Sequence, residues 1–379
     1  MKHRTSLIML GLAALPLAGC GANSPATTAA APFVYAVNTK SNEISQYSAS
    51  PSDFGALKPL APATVPTGPF PYGIAIDPHG NSVYVADVDA NEVSQYTINP
   101  TTGQLTPKTP ATVAAGRGSV EVAVTPNGES AYVVDRNAIS QYSINPTTGN
   151  LTPKSPAMVA TGRNAEAIAI SPNGKYVYVS NCPGCAERLR GSHSAPPSKL
   201  PTATIWEYRI NQHTGALSRL GTVVTGTGAN AIAITPNGRS LYVAVAAVWQ
   251  YTINPTTGKL TPKSPATVAA PGTAHDIAIA PDGKNAYVVT VANNTISQYR
   301  INPRTGALSS KPASTAHTVL HPEALKLAPD GNSAYVTSEN NGELSQYTIN
   351  PTTGKITPKS PATVPTASGS LGLATTPER

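Results

Sequence analysis

The stretch from Tyr72 to Gly116 reads YGIAIDPHGNSVYVADVDANEVSQYTINPTTGQLTPKTPATVAAG, and copies of it fill the chain. The proline after its first apolar run returns at Pro78, Pro126, Pro172, Pro236, Pro281, Pro329 and Pro377, at intervals of 48, 46, 64, 45, 48 and 48 residues. A fixed period of this length denotes a repeat architecture, in which each unit buries its apolar face on its neighbour. Most residues are then scaffold, and function belongs where the copies differ.

One copy reads as four strands. Tyr72 to Asp77 alternates around Ile74 and Ile76, the pattern of a strand. Asp77-Pro78-His79-Gly80 has tight-turn chemistry, with proline presetting φ and glycine taking the left-handed position. Ser82 to Ala86 and Asn91 to Ile98 are the second and third strands, and Asn99 to Gly103 (NPTTG) is a hairpin loop ending on glycine. Gln104 to Val113 is a fourth strand broken by Pro107 and Pro110. Prolines cannot donate to a ladder, so this strand belongs at an outer edge, which they also protect from other chains. Fourteen of the sixteen tyrosines fall at two fixed positions of the repeat, one after each second-strand valine or its equivalent and one after each third-strand glutamine or its equivalent. They read as packing residues between units.

Seven units are present, and the ends complement each other. The chain enters on a second strand at Phe33-Val34-Tyr35 and finishes on a first strand, Leu371 to Pro377. The last strand therefore completes the first unit, which removes the open edges of a linear array. The fold class expected is all-β: a seven-bladed β-propeller of four antiparallel strands per blade over residues 33–379.

Second strands of the form VYVAD, AYVVD, VYVSN and AYVTS, joined to P-x-G turns, resemble the YVTN repeats of the lactonase-like seven-bladed propellers. The resemblance runs from Phe33 to the C-terminus. It implies the propeller fold and, as a reaction class, the opening of sugar lactones of the 6-phosphogluconolactonase kind. The Gly-Pro-Arg-His stretch common in those enzymes is absent here, so no catalytic residue carries over by motif. Folds of this type host unrelated functions.

The N-terminus reads as a targeting segment. Lys2, His3 and Arg4 precede an apolar run from Ser6 to Ala18 that is too short to span a bilayer. Leu17-Ala18-Gly19-Cys20 resembles a bacterial lipobox, which implies a signal peptide over 1–19 and lipidation of Cys20; a plain secretory signal is the alternative. Residues 20–32 are small and uncharged, as in a flexible tether. The expected location is outside the cytoplasm, anchored to the cell membrane or outer membrane. The formal net charge of +7 falls to about +5 without Lys2 and Arg4, and no run of five like charges exists. That spread points away from nucleic acid. A monomer without cofactor or metal is expected, with an envelope protein or a polar or anionic ligand as partner.

The copies differ in three places. Unlike residues gather at the inner-strand entrances: Arg117, Glu121, Arg163, Asn164, Glu166, Asn230, His275, Asp276, His321 and Glu323. These positions approach the mouth of the central channel, where acid, base and imidazole groups bind polar ligands or move protons. His275, Glu166, Glu323 and Arg163 are the catalytic candidates: imidazole or carboxylate as base, guanidinium for an oxyanion. Lys326 stands where six blades have alanine (Ala75, Ala123, Ala169, Ala233, Ala278, Ala374), and must pair with an acid or reach channel water. Blade four carries an insertion over about 182–204, opening with Cys182-Pro183-Gly184-Cys185 and basic at Arg188, Arg190 and Lys199. Outside the cytosol this pair reads as a disulfide. With His193 it supplies three of the four ligands a structural zinc needs; a redox pair is the third reading. Repetition this regular favours an anchored scaffold that binds through its variable face. A lactonase-like hydrolase at the channel mouth is the alternative; no nucleophile elbow is present.

Overall fold

A computed structural model describes residues 32–50, 55–183 and 202–377. Among them, twenty-eight strands form seven four-stranded antiparallel sheets. The lipobox cysteine Cys20, the tether as far as residue 31, Cys185, Arg188, Arg190, His193 and Lys199 lie outside the described residues. Blade one runs, from axis to rim, Ser370–Thr375, Phe33–Asn38, Glu43–Ser50 and Ala56–Pro66. The C-terminal strand thus closes the ring: Tyr35 pairs with Ala374 and Ala36 with Leu373. Phe33 N–H donates to Thr376 Oγ1 at 2.8 Å, and Thr376 N–H returns to Phe33 O at 2.9 Å. The inner strands of blades two to seven are Pro71–Ile76, Glu121–Val124, Ala165–Ile170, Ala231–Ile234, Ala274–Ile279 and Pro322–Leu327. Strand ends differ from the sequence reading by one or two residues; Asp87, for one, still pairs with Glu92 and so extends its strand.

The core is a set of seven interfaces, one between each pair of neighbouring blades. All fourteen periodic tyrosines are buried. Each second-strand hydroxyl reaches forward to the hairpin glycine carbonyl of the next blade, as Tyr84 does to Gly149 O at 2.6 Å and Tyr335 to Gly55 O at 2.7 Å. Each third-strand hydroxyl reaches back to the outer strand of the preceding blade, as Tyr96 does to Pro66 O at 2.8 Å. Each bond contributes roughly 1 kcal/mol net, so adjacency is written by the same two tyrosines at every interface.

A glutamine adds a third clasp. Gln95 Oε1 accepts Leu151 N–H of the next blade at 2.7 Å, while its Nε2 donates to Pro110 O at 3.2 Å. Gln46, Gln141, Gln250 and Gln346 repeat both bonds. Blade four has Glu207 instead. Its carboxyl still accepts Leu260 N–H at 2.7 Å, but an ionised carboxylate has no proton to donate. Burial pushes the Glu207 carboxyl up, against the opposing pull of Leu260 N–H and Lys259. A raised acid stabilises the fold at low pH and loses that contribution as pH climbs through the raised value. Glu207→Gln should therefore gain stability over wild type as pH rises, by about 1 kcal/mol. Thermal melts at pH 4 and pH 8 check this; an equal difference at both would contradict it.

The P-x-G turns and NPTTG hairpins share one face. The links between blades and the second-to-third strand loops share the other, where the inner strands begin. There the inner strands bulge. In blade two Pro71 pairs with Asp87 but Ile74 with Val85, and blades four, six and seven shift likewise. A bulge inserts one residue and breaks the alternation of faces. Consecutive residues can then both reach the channel.

Candidate functional site

A cavity of about 120 Å³ occupies the channel at the entrances of the inner strands. All seven blades line it. Blade two gives Tyr72, blade three Glu121, blade five Asn230, blade six His275 and Asp276, blade seven Glu323 and Lys326, and blade one Leu371 and Leu373. Blade four contributes Ala167 and Ile168. Tyr72, His275 and Glu323 fall in the bulges just described. The strands approach closely here because two glycines have no side chain. A Cβ at Gly73 would meet Val120 O at 2.5 Å, and one at Gly372 would meet Tyr72 O at 2.2 Å.

The polar groups are fixed in different ways. Asp276 Oδ1 accepts Ile277 N–H at 2.7 Å and Oδ2 accepts Leu325 N–H at 2.8 Å, which pins blade six to blade seven. Asn230 Nδ2 donates to Ala274 O at 3.0 Å and joins blades five and six. His275 Nε2 stands 3.3 Å from Glu323 Oε2, and its Nδ1 is 3.3 Å from Glu323 O. Both ring nitrogens of His275 thus lie beside oxygens of Glu323, which fixes the ring against blade seven. Lys326 is exposed and lines the cavity.

Glu121 is the tuned acid. Burial raises its carboxyl to about 7, Asp276 adds to the rise, and the Lys326 ammonium opposes it. A group titrating there exchanges protons readily near neutral pH. Tyr72 is held the other way. Burial, then the charges of Glu323, Glu166, Glu121 and Glu339, push its phenol well above the ordinary range. It stays a neutral O–H donor.

Of the residues singled out from sequence, Glu121, Asn230, His275, Asp276, Glu323 and Lys326 line the cavity. Glu166 lies off its wall yet acts on Tyr72 by charge. Arg117, Arg163 and His321 are exposed and outside the lining. Arg163 is therefore not placed to face an oxyanion in this cavity. Asn164 gives its amide to Pro183 O at 2.9 Å. Cys182 is buried, and its pairing with Cys185 involves a residue outside the described ones. Tyr72 was hidden among the periodic tyrosines; the available signal was that it and Tyr176 are the two that break the register. Among the described residues no group of three His, Cys, Asp or Glu is arranged to hold a metal ion. No helix there is long and apolar enough to cross a membrane.

A larger cavity, about 680 Å³, opens on the opposite face between blades three and four. Its walls are the repeated turns, and its lysine is committed: Lys154 Nζ donates to Ser143 Oγ at 2.9 Å and Thr214 O at 2.8 Å. Lys263 makes the matching bonds, to Thr252 Oγ1 and Thr305 O, between blades five and six, so this groove is scaffold.

Comparison with known proteins agrees with the architecture. No curated protein sequence matches the chain. Solved structures do. A Bacteroides uniformis protein proposed to be a 6-phosphogluconolactonase is 17% identical with a TM-score of 0.72, over 91% of this chain and 99% of that one. The periplasmic gluconolactonase of Pseudomonas aeruginosa is 14% identical with a TM-score of 0.69, over 91% and 99%. A functionally unknown Desulfotomaculum acetoxidans protein is 18% identical with a TM-score of 0.70, over 92% and 99%. At such identities the likeness is one of fold. The sequence profile described as "Lactonase, 7-bladed beta-propeller" matches residues 18–119, 67–274 and 262–369. On that match, the chain belongs to the seven-bladed β-propeller lactonase family.

Proposed function

We propose that the protein hydrolyses a lactone at the channel mouth, with Glu121 as general base. The observation that carries this reading is that Glu121, raised by burial to about 7 against the opposing Lys326 charge, lines the same cavity as Lys326 in the channel of a lactonase-family propeller. The family match favours it over the scaffold reading.

The reaction follows from the groups present. Glu121 carboxylate takes a proton from water as the water oxygen attacks the lactone carbonyl carbon. Negative charge gathers on the carbonyl oxygen, where Lys326 and the neutral Tyr72 hydroxyl supply a cation and a donor. Collapse breaks the acyl carbon–ring oxygen bond. The ring oxygen receives the proton from Glu121 and becomes a hydroxyl, and the new carboxylic acid loses its proton to solvent. Asp276 is a fixed wall that raises Glu121, and the His275–Glu323 pair holds the adjoining side.

The location proposed is outside the cytoplasm, with Cys20 lipidated; the lipobox-like stretch of residues 17–20 supports it. The reading is tested by titrating acid released from a panel of sugar and alkyl lactones by the wild-type and Glu121→Gln proteins. Hydrolysis of none of them would overturn it and return the scaffold reading.

A further inference from the structure

We infer that Asn341 is a site of spontaneous deamidation, where the main-chain nitrogen of Gly342 converts the side-chain amide to a carboxylate on the channel-mouth face. This stands apart from the hydrolase reading.

The site arises where the copies differ. Just before the third strand, blades one, two and six carry Asn42, Asn91 and Asn294, and blade seven carries Gly342. Those asparagines each cap the link to the next blade. Asn42 Oδ1 accepts Phe70 N–H at 2.9 Å, Asn91 Oδ1 accepts Gly118 N–H at 2.8 Å and Asn294 Oδ1 accepts His321 N–H at 2.9 Å. Gly342 keeps the left-handed turn, with φ of 60°, but brings no cap. It also follows Asn341. Asparagine before glycine is open to this reaction because no Cβ hinders the attacking nitrogen.

Four such pairs exist, at Asn127, Asn173, Asn237 and Asn341. The first three sit in the tight turns after the inner strands and are held twice. Their side-chain oxygens accept the N–H two residues on, from Glu129, Lys175 and Arg239, at 3.2, 3.1 and 3.0 Å. The attacking N–H groups of Gly128, Gly174 and Gly238 are each engaged by a main-chain carbonyl at 2.8 Å. In blade seven the main chain around the pair is anchored and the reacting groups are not. Asn341 N–H donates to Ser338 Oγ at 3.3 Å, and Gly342 O accepts Thr366 N–H at 2.9 Å. Asn341 is exposed. Among the described residues neither its side-chain amide nor the Gly342 N–H is hydrogen-bonded.

The Gly342 nitrogen bonds to Asn341 Cγ, its proton passes to the departing Nδ2, and ammonia leaves a cyclic imide. Water opens the imide at either carbonyl, giving aspartate or an isoaspartate whose chain runs through Cβ. Either product adds a negative charge two residues from Glu339, whose charge is felt at the Tyr72 phenol.

The test is peptide mapping by mass spectrometry after the purified full chain has aged at pH 8, folded or in urea. The ratio of unfolded to folded rate measures the protection that the fold gives each asparagine. Protection of ~10- to 100-fold is expected at Asn127, Asn173 and Asn237, the rate equivalent of the two hydrogen bonds each must break, and less than about threefold at Asn341. Asn341→Gln should remove the signal at this site and leave the other three unchanged. Protection at Asn341 equal to that in the three turns would overturn the inference.

Discussion

Glu121→Gln is expected to lower kcat/KM for lactone hydrolysis by ~10²–10⁴-fold, the contribution of a positioned general base. Glutamine keeps the shape of the side chain and removes only the proton acceptor. The same substitution should raise stability in alkali. The folded carboxyl titrates at about 7 against an ordinary 4.5. Its stabilising contribution is therefore present below the unfolded value and lost as pH rises through about 7. At pH 8 the glutamine variant avoids a cost on the order of 3 kcal/mol. A residue retained for structure loses stability when replaced; one retained for chemistry loses activity and gains stability. Urea denaturation at pH 8 beside initial rates separates the two cases. A variant within about tenfold of wild-type activity would remove Glu121 from the role of base.

Deletion of residues 370–377 should abolish the cooperative fold. Ser370–Thr375 is the inner strand of blade one, and without it Phe33–Asn38 becomes an open edge beside the channel. Leu373, 1% exposed, leaves the core shared with blade seven. Ser370 Oγ also leaves Asn38 Oδ1 at 2.5 Å. Losing one buried leucine costs about 2–5 kcal/mol, and a whole domain holds only about 5–15 kcal/mol. The truncated chain should melt without a sharp transition and aggregate on a sizing column. A melting midpoint near that of the full chain would show that the ring does not need its closing strand.

The fold was legible because it is written seven times. Period, turn chemistry and the complementary ends each fix the same propeller, and two tyrosines per blade carry the contact between neighbours. The site was legible only in part, because it is written once. Glu121, Asp276 and Lys326 stand out when the copies are aligned, since the axis otherwise carries small or apolar residues. Their separation cannot be read from one strand, as it depends on how three blades face each other across the channel. Arg163, Asn164 and His321 looked equally placed. They belong to the links before the bulges, where Asn164 and His321 have φ of 48° and 51°, and the chain has not yet turned into the channel. Tyr72 gave no such signal by residue type, and only its position inside a bulge brings it to the mouth.

The central claim is that Glu121, tuned by Lys326, performs the chemistry, and the pH dependence of kcat/KM tests it most directly. After subtraction of hydroxide hydrolysis, the wild-type rate should rise with pH through a single limb near 7, as Glu121 becomes a carboxylate. Lys326→Met removes the cation that holds this carboxyl down, so the limb should move to higher pH. A limb in the same place in both proteins, or no limb between pH 5 and pH 9, would contradict the account.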